Sequence, residues 1–167
     1  MVYLAGPLGF SEAGSDFYNS KLIPLIEHMG FSYFDPWNTK LRDKIDKVSS
    51  MKYGIRKRTE WVNLNFEIGR LNQQNIDRCD LMLAVLDGID VDSGTAAEIG
   101  YAFARNKRVI GYRGDIRLCS DNEGCVINLQ VEYFIKSSGG IIINKLDELI
   151  TYLNKLNKQQ KHKIPKR

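Results

Sequence analysis

The chain has 167 residues and 19.1 kDa, with 43% hydrophobic and 26% charged residues. That is enough for one domain with a real core, and too balanced a composition for a disordered chain or a coiled coil. The net charge of +4 is localised: residues 151–167 carry Lys155, Lys158, Lys161, Lys163, Lys166 and Arg167 with no acid, which leaves residues 1–150 at −2. We therefore expect a single domain over 1–156 followed by a solvated basic tail, 157–167. No run approaches the length of a membrane-crossing helix, and MVYLAGPLGF lacks the basic start of a signal peptide. Cys79, Cys119 and Cys125 cannot form a closed set of disulfides, which fits a reducing, cytoplasmic setting.

Val2–Ala5 is the first strand, stopped by Gly6-Pro7. A helix is expected over 15–29 from the spacing of Phe17, Leu22, Leu25, Ile26 and Met29, with Pro24 kinking or interrupting it. Phe31–Phe34 follows as a strand. Residues 36–60 show no regular period but hold a basic run from Lys40 to Arg58. A helix is expected over Glu60–Arg78. The continuous apolar LMLAVL of Leu81–Leu86 then reads as a strand buried on both faces. Further helices are expected at Thr95–Arg105, Val126–Lys136 and Leu146–Leu156, and strands at Val109–Tyr112 and Ile141–Ile143. This alternation predicts a doubly wound, five-stranded parallel α/β sheet of order 2-1-3-4-5 with helices on both faces. Ligands in such sheets gather beyond the C-terminal strand ends at the switch point, here the loops after Ala5 and Leu86.

The second of these loops, Asp87 to Glu98, holds four carboxylates. Its spacing fails the calcium-loop pattern, since Ile89, Val91 and Asp92 stand where oxygen ligands and a glycine are needed, and both histidines, His28 and His162, are remote. No metal site is expected. Ser93 can cap the next helix, and Gly94 allows close approach by backbone or ligand. Glu98 lies in the early turns, where the helix field favours an ionised carboxylate able to act as a nucleophile. With Asp92 it supplies the two carboxylates that glycosidic cleavage needs; the alternative is a capping acid and a surface glutamate. The loop YLAGPLGF, with Gly6, Pro7 and Phe10 as substrate-binding candidates, can present backbone N–H groups (Pro7 has none) or make room for a flat ring, but neither dinucleotide nor triphosphate fingerprint is present, so no cofactor is expected. Tyr3 can be core or can donate its hydroxyl to a carboxylate. Asp80 reads first as a turn residue, and Trp37 and Trp61 as packing or stacking groups.

YLAGPLGF, CDLMLAVLDG, DSGTAAEIGYAFARNKRVIGYRGD and VINLQVEYFI, in that order, resemble the nucleoside 2-deoxyribosyltransferases. The resemblance implies a flavodoxin-like fold and exchange of the base on a 2′-deoxynucleoside through a covalent glutamyl–sugar intermediate. Its substrates would be 2′-deoxynucleosides and free bases, in a homodimer or larger homo-oligomer with shared sites. It places the nucleophile at Glu98, a base-contacting, proton-managing aspartate at Asp92 and the tyrosine beside the nucleophile at Tyr3. A further base-side aspartate falls on Asp80 or Asp87, the topology favouring Asp87, and an asparagine from the neighbouring subunit on Asn128. A related branch hydrolyses deoxynucleoside 5′-monophosphates with an arginine-bearing first loop; GPLGFSEAG has no arginine, which favours unphosphorylated substrates. The competing classes are a non-catalytic nucleotide-binding module and a nucleic-acid-associated protein using the 40–58 run and the tail. The acidic switch-point loop disfavours the latter.

Overall fold

The computed structural model describes residues 1–163, with side chains to residue 159. Five parallel strands form one sheet in the order β2-β1-β3-β4-β5: β1 (Val2–Ala5), β2 (Tyr33–Phe34), β3 (Leu81–Val85), β4 (Arg108–Tyr112) and β5 (Ile141–Ile143). The expected order and doubly wound architecture are both present. Val2 pairs with Leu81 and Ala5 with Ala84, so the C-terminal ends of the two central strands lie side by side.

Alternation along the strands divides the core. Val2, Leu4, Leu81, Leu83, Val85 and Ile110 face α1 (Glu12–Phe17), α2 (Ile23–His28) and α7 (Leu146–Lys163), packing on Leu22, Ile26, Leu149 and Leu153. Tyr3, Ala5, Met82, Ala84 and Val109 face the other way. Their layer is α4 (Ile55–Arg78), α5 (Ser93–Ala104) and α6 (Leu129–Ser137), represented by Ile76, Ile99, Ala102, Val131 and Ile135. Contacts of α5 with α4 and with α6 place it in the middle of that layer.

Several boundaries differ from the sequence expectation. The first helix begins at Glu12, capped by Ser11, whose Oγ accepts from Gly14 N at 3.0 Å. Between α1 and α2 it widens into a π turn at Tyr18–Leu22, directly before Pro24, so the missing donor falls where the hydrogen-bond ladder is already shifted. The unreadable segment contains α3 (Arg42–Ser50), and α4 starts five residues earlier than Glu60. These two helices share their own apolar cluster of Leu41, Val48 and Leu64 with Ile45, Trp61 and Ile68. Trp61 is therefore packing. At about 1.5 Å per residue α4 is about 36 Å long; β3 is about 17 Å at 3.3 Å per residue. The N-terminal part of α4 thus projects past the C-terminal edge of the sheet. Finally, α7 continues beyond Leu156 to Lys163, so part of the expected tail is helical; residues 164–167 lie outside the described residues.

Candidate active site

Asp92, not Ser93, caps α5. Its Oδ2 accepts from Thr95 N at 2.9 Å and from Thr95 Oγ1 at 3.0 Å, satisfying an orphan donor of the first turn. The capping oxygen sits close enough that a Cβ on Gly94 would lie 3.2 Å from it. The cap fixes the rotation of α5 and turns Glu98, the sixth helical residue, inward over the end of β1.

There Glu98 Oε1 receives two side-chain donors: the Tyr3 hydroxyl at 2.7 Å and Asn72 Nδ2 at 3.3 Å. Tyr3 is fully buried, stacked on Phe34 with ring centroids 5.5 Å apart, and burial together with the Glu98 charge pushes its hydroxyl pKa far up. It is a neutral donor throughout the working range. Burial also raises the Glu98 carboxyl above its ordinary value. The Tyr3 bond opposes this, the Asp92 charge adds to it, and the Asn72 bond opposes it again. The expected preference for the ionised form is therefore not realised as a lowered pKa: the helix field fades beyond the first turn, and desolvation outweighs it. Glu98 and Asp92 are held near each other with different partners, one on neutral donors from β1 and α4, the other on the α5 cap.

The first loop forms a wall. Gly6 adopts φ +151°, and a Cβ there would come within 2.9 Å of Val85 Cβ, so only glycine lets β1 turn this close to β3. Its carbonyl accepts from Trp37 Nε1 at 3.3 Å, and the Trp37 ring meets the Phe10 ring edge-on at 4.6 Å. Pro7 starts the 3₁₀ turn Leu8–Phe10, which leaves Phe10 75% exposed. Asp35, 9% exposed, fixes Trp37 by accepting from its backbone N–H, and from the Tyr18 hydroxyl at 2.9 Å.

The remaining candidates separate. Asp87 lies at the C-terminal edge, its Oδ1 accepting from Asp115 N at 2.9 Å. The carbonyls on either side of it, Leu86 and Gly88, are both bound by the buried Arg113 guanidinium, which also donates to Arg117 O at 2.6 Å. Asp80 lies at the opposite edge, ion-paired with the Met1 amino group, on a cleft of about 350 Å³ shared with Asn106 and Arg108. The structure does not bring it together with Glu98. Asn128 caps α6, its Oδ1 accepting from Gln130 N at 3.1 Å and Val131 N at 3.3 Å, which leaves its Nδ2 as the group it can offer outward. Asn72 was missed by the sequence reading, because a lone asparagine in a polar helix carries no signal of its own. Among the described residues no group of His, Cys, Asp and Glu is gathered as a metal site. Among the same residues no helix is long and apolar enough to cross a membrane.

A parallel sheet of this order, with a tyrosine-held glutamate behind a capping aspartate at its switch point, defines an α/β protein whose candidate site holds two neighbouring carboxylates. The sequence profile of the nucleoside 2-deoxyribosyltransferases matches residues 2–130, and the chain belongs to that family. It is 26% identical over 121 residues to an uncharacterised protein of Schizosaccharomyces pombe, covering 70% of this chain and 51% of that one, so it spans about half the length of this curated relative. Among solved structures it resembles a conserved protein from Enterococcus faecalis (TM-score 0.65, 24% identity, 95% and 97% of the two chains covered). It also resembles a 2-deoxyribosyltransferase from Leishmania mexicana (0.62, 22%, 92% and 96%). A third is a CMP N-glycosidase from Clostridium botulinum (0.55, 20%, 93% and 98%). At these identities the structural likenesses show the shared fold.

Proposed function

We propose that this chain exchanges the base of 2′-deoxynucleosides by double displacement, with Glu98 as nucleophile. The observation that carries the reading is the enclosed Glu98 carboxylate, held by Tyr3 and Asn72 beside Asp92. Glu98 attacks C1′; the C1′–N bond breaks, and its electron pair leaves with the base. A proton from Asp92, or from water it holds, neutralises that base. An incoming base then attacks C1′ from the same face and releases the Glu98 carboxylate. Its own N–H proton returns to Asp92, so both carboxyls regain their starting states and configuration is retained. Two neutral donors on the attacking carboxylate position it without neutralising it, and the poorly solvated site strengthens its attraction for the developing oxocarbenium charge.

The Trp37–Phe10 wall with Gly6 and Pro7 suits a flat base, Gly94 leaves room beside Asp92, and Asp87 stands at the same edge. Asn128 would act from a neighbouring subunit. The three free cysteines support a cytoplasmic setting, where the reaction would serve deoxynucleoside salvage. The test incubates the protein with a deoxynucleoside, with and without a second free base, and resolves the products chromatographically. Exchange that outruns hydrolysis, and its loss in Glu98→Ala, are expected; undiminished exchange in Glu98→Ala would sink the assignment. Deoxynucleoside 5′-monophosphates in the same assay test the hydrolase alternative: hydrolysis faster than exchange overturns the transferase reading.

A further inference from the structure

Apolar packing does little to fix the C-terminal half of α4. Among the described residues, the buried ones on this helix are Leu64, Asn75 and Ile76. Leu64 belongs to the cluster shared with α3, and Ile76 joins the core beside α5. One apolar anchor does not set the rotation of a helix. A row of polar side chains facing α5 does. Both helices run from the C-terminal edge of the sheet to its opposite edge, because each leads into the start of a strand. Glu98, Tyr101 and the C-cap Arg105 are three and four residues apart, and so on one face of α5. The Tyr101 hydroxyl lies 3.1 Å from both Asp77 carboxylate oxygens, to which it donates, and accepts from Gln73 Nε2 at 3.2 Å. Arg105 Nε donates to Asp77 Oδ1 at 2.7 Å, and Lys107 Nζ to the Asp77 carbonyl at 2.8 Å. The rung next to the site is Asn72 Nδ2 on Glu98 Oε1, at 3.3 Å the longest of the series.

Asn72 Oδ1 is buried without a partner. An unmet buried acceptor is costly, and a small turn of α4 toward solvent would relieve it while carrying Nδ2 off Glu98. Asp77 opposes that turn. It lies about 7.5 Å farther along the same helix, so a rotation that frees Asn72 also breaks the bonds to Tyr101 and Arg105. We infer that Asp77 is a positioning residue: with Tyr101 and Arg105 it fixes α4 against α5 and so holds the Asn72 amide on the Glu98 carboxylate. This deepens the proposed function and rests on it for the role of Glu98. Asp77 touches no reacting atom and acts through Asn72. The sign of its effect separates that role from a charge effect. Burial is the main force raising the Glu98 pKa; the Tyr3 bond opposes it, the Asp92 charge adds to it, and the Asn72 bond opposes it. Removing the Asp77 charge, with the Arg105 guanidinium left uncompensated, makes the surroundings more positive and would push that pKa down. Losing the Asn72 bond pushes it up.

Asp77→Ala and Tyr101→Phe test this in the full chain, each alone and combined with Asn72→Ala. NMR titration of the Glu98 carboxyl carbon, assigned by its loss in Glu98→Gln, needs no turnover. Its midpoint should move to higher pH in both single variants, as in Asn72→Ala, and no further once Asn72 is already Ala. On the acid limb, kcat/KM for base exchange should fall about tenfold in Asp77→Ala, the order expected when a group on the nucleophile is slightly displaced. Asp77→Asn keeps an Oδ1 that accepts from Tyr101 and Arg105, and should retain wild-type titration and rate. A purely structural role predicts a lower Tm, an unmoved titration, and effects that add to those of Asn72→Ala. Should Asp77→Ala fail to fold, Tyr101→Phe decides, since it loses one oxygen and keeps its ring. A Glu98 midpoint that stays or falls in Tyr101→Phe, or that rises as far when Asn72 is already Ala, overturns the inference. Base exchange with that midpoint unmoved refutes this inference alone. The expected midpoint shifts in a chain that exchanges no bases refute the proposed function alone.

Discussion

Replacing Tyr3 by Phe removes one oxygen and keeps the buried ring stacked on Phe34. The lost bond is a 2.7 Å hydroxyl–carboxylate contact inside the protein, and a hydrogen bond to a charged group is worth about 1.5–3 kcal/mol. For a chain of this length each kcal/mol moves Tm by about 2–4 °C, so a fall of about 3–12 °C is expected near neutral pH. At a pH where Glu98 is protonated the bond is neutral and the fall should shrink. Kinetics add a second signature. Tyr3 is the larger of the two forces holding the Glu98 carboxyl down against burial, so its loss moves the acid limb of kcat/KM to higher pH. The alkaline plateau should change by less than about tenfold, because the carboxylate spends its charge as it attacks and the bond weakens with it. Thermal melts across pH, with a base-exchange assay over the same range, measure both effects. An unmoved acid limb together with a Tm within a degree of wild type would refute the role given to this hydroxyl.

Glu98→Gln should abolish exchange yet melt higher than wild type near neutral pH. A carboxyl whose pKa is raised by folding contributes most stability below its ordinary value of 4.5 and loses it as pH rises through the folded value, so the gain should vanish in acid. Asp92→Asn keeps an accepting oxygen for Thr95 and should hold Tm while slowing base departure. Asp92→Ala should also lose the cap, about 1 kcal/mol, seen as a lower Tm. Arg113→Met strips three carbonyls of their buried donor and should cost at least about 3 kcal/mol by urea denaturation. In Gly9→Ala the new Cβ would stand 2.1 Å from Trp37 Cδ2, so the indole must shift; KM should rise more than kcat falls.

Sheet order, site edge and the central pair Glu98 and Asp92 were legible because they follow from local pattern: apolar runs of strand length, and a carboxylate before and within a short-residue helix. The helix α3 was not legible, since its apolar positions Leu41, Ile45 and Val48 are few and their partners Trp61, Leu64 and Ile68 lie a full helix away in sequence. Asn72 was hidden for a related reason: its meaning comes from Glu98, 26 residues on. Ser93 and Asp92 stay open as caps in the sequence because both types cap well, and the Thr95 contacts decide for Asp92. Asp80 and Asp87 open and follow the same strand, so the sequence alone left them as alternatives; the structure puts them at opposite edges.

The strands that end this sheet are its shortest. β2 offers two residues and β5 three, against five in β3 and β4. An edge strand of that length presents too few free N–H and C=O groups to template another chain, which is how parallel sheets escape ribbon-like aggregation without a closing barrel. Growth by strand addition is disfavoured at both ends, so any contact between copies would fall to side chains on helices. Helix contacts can be arranged to close on themselves and stop, where an open sheet edge would keep recruiting.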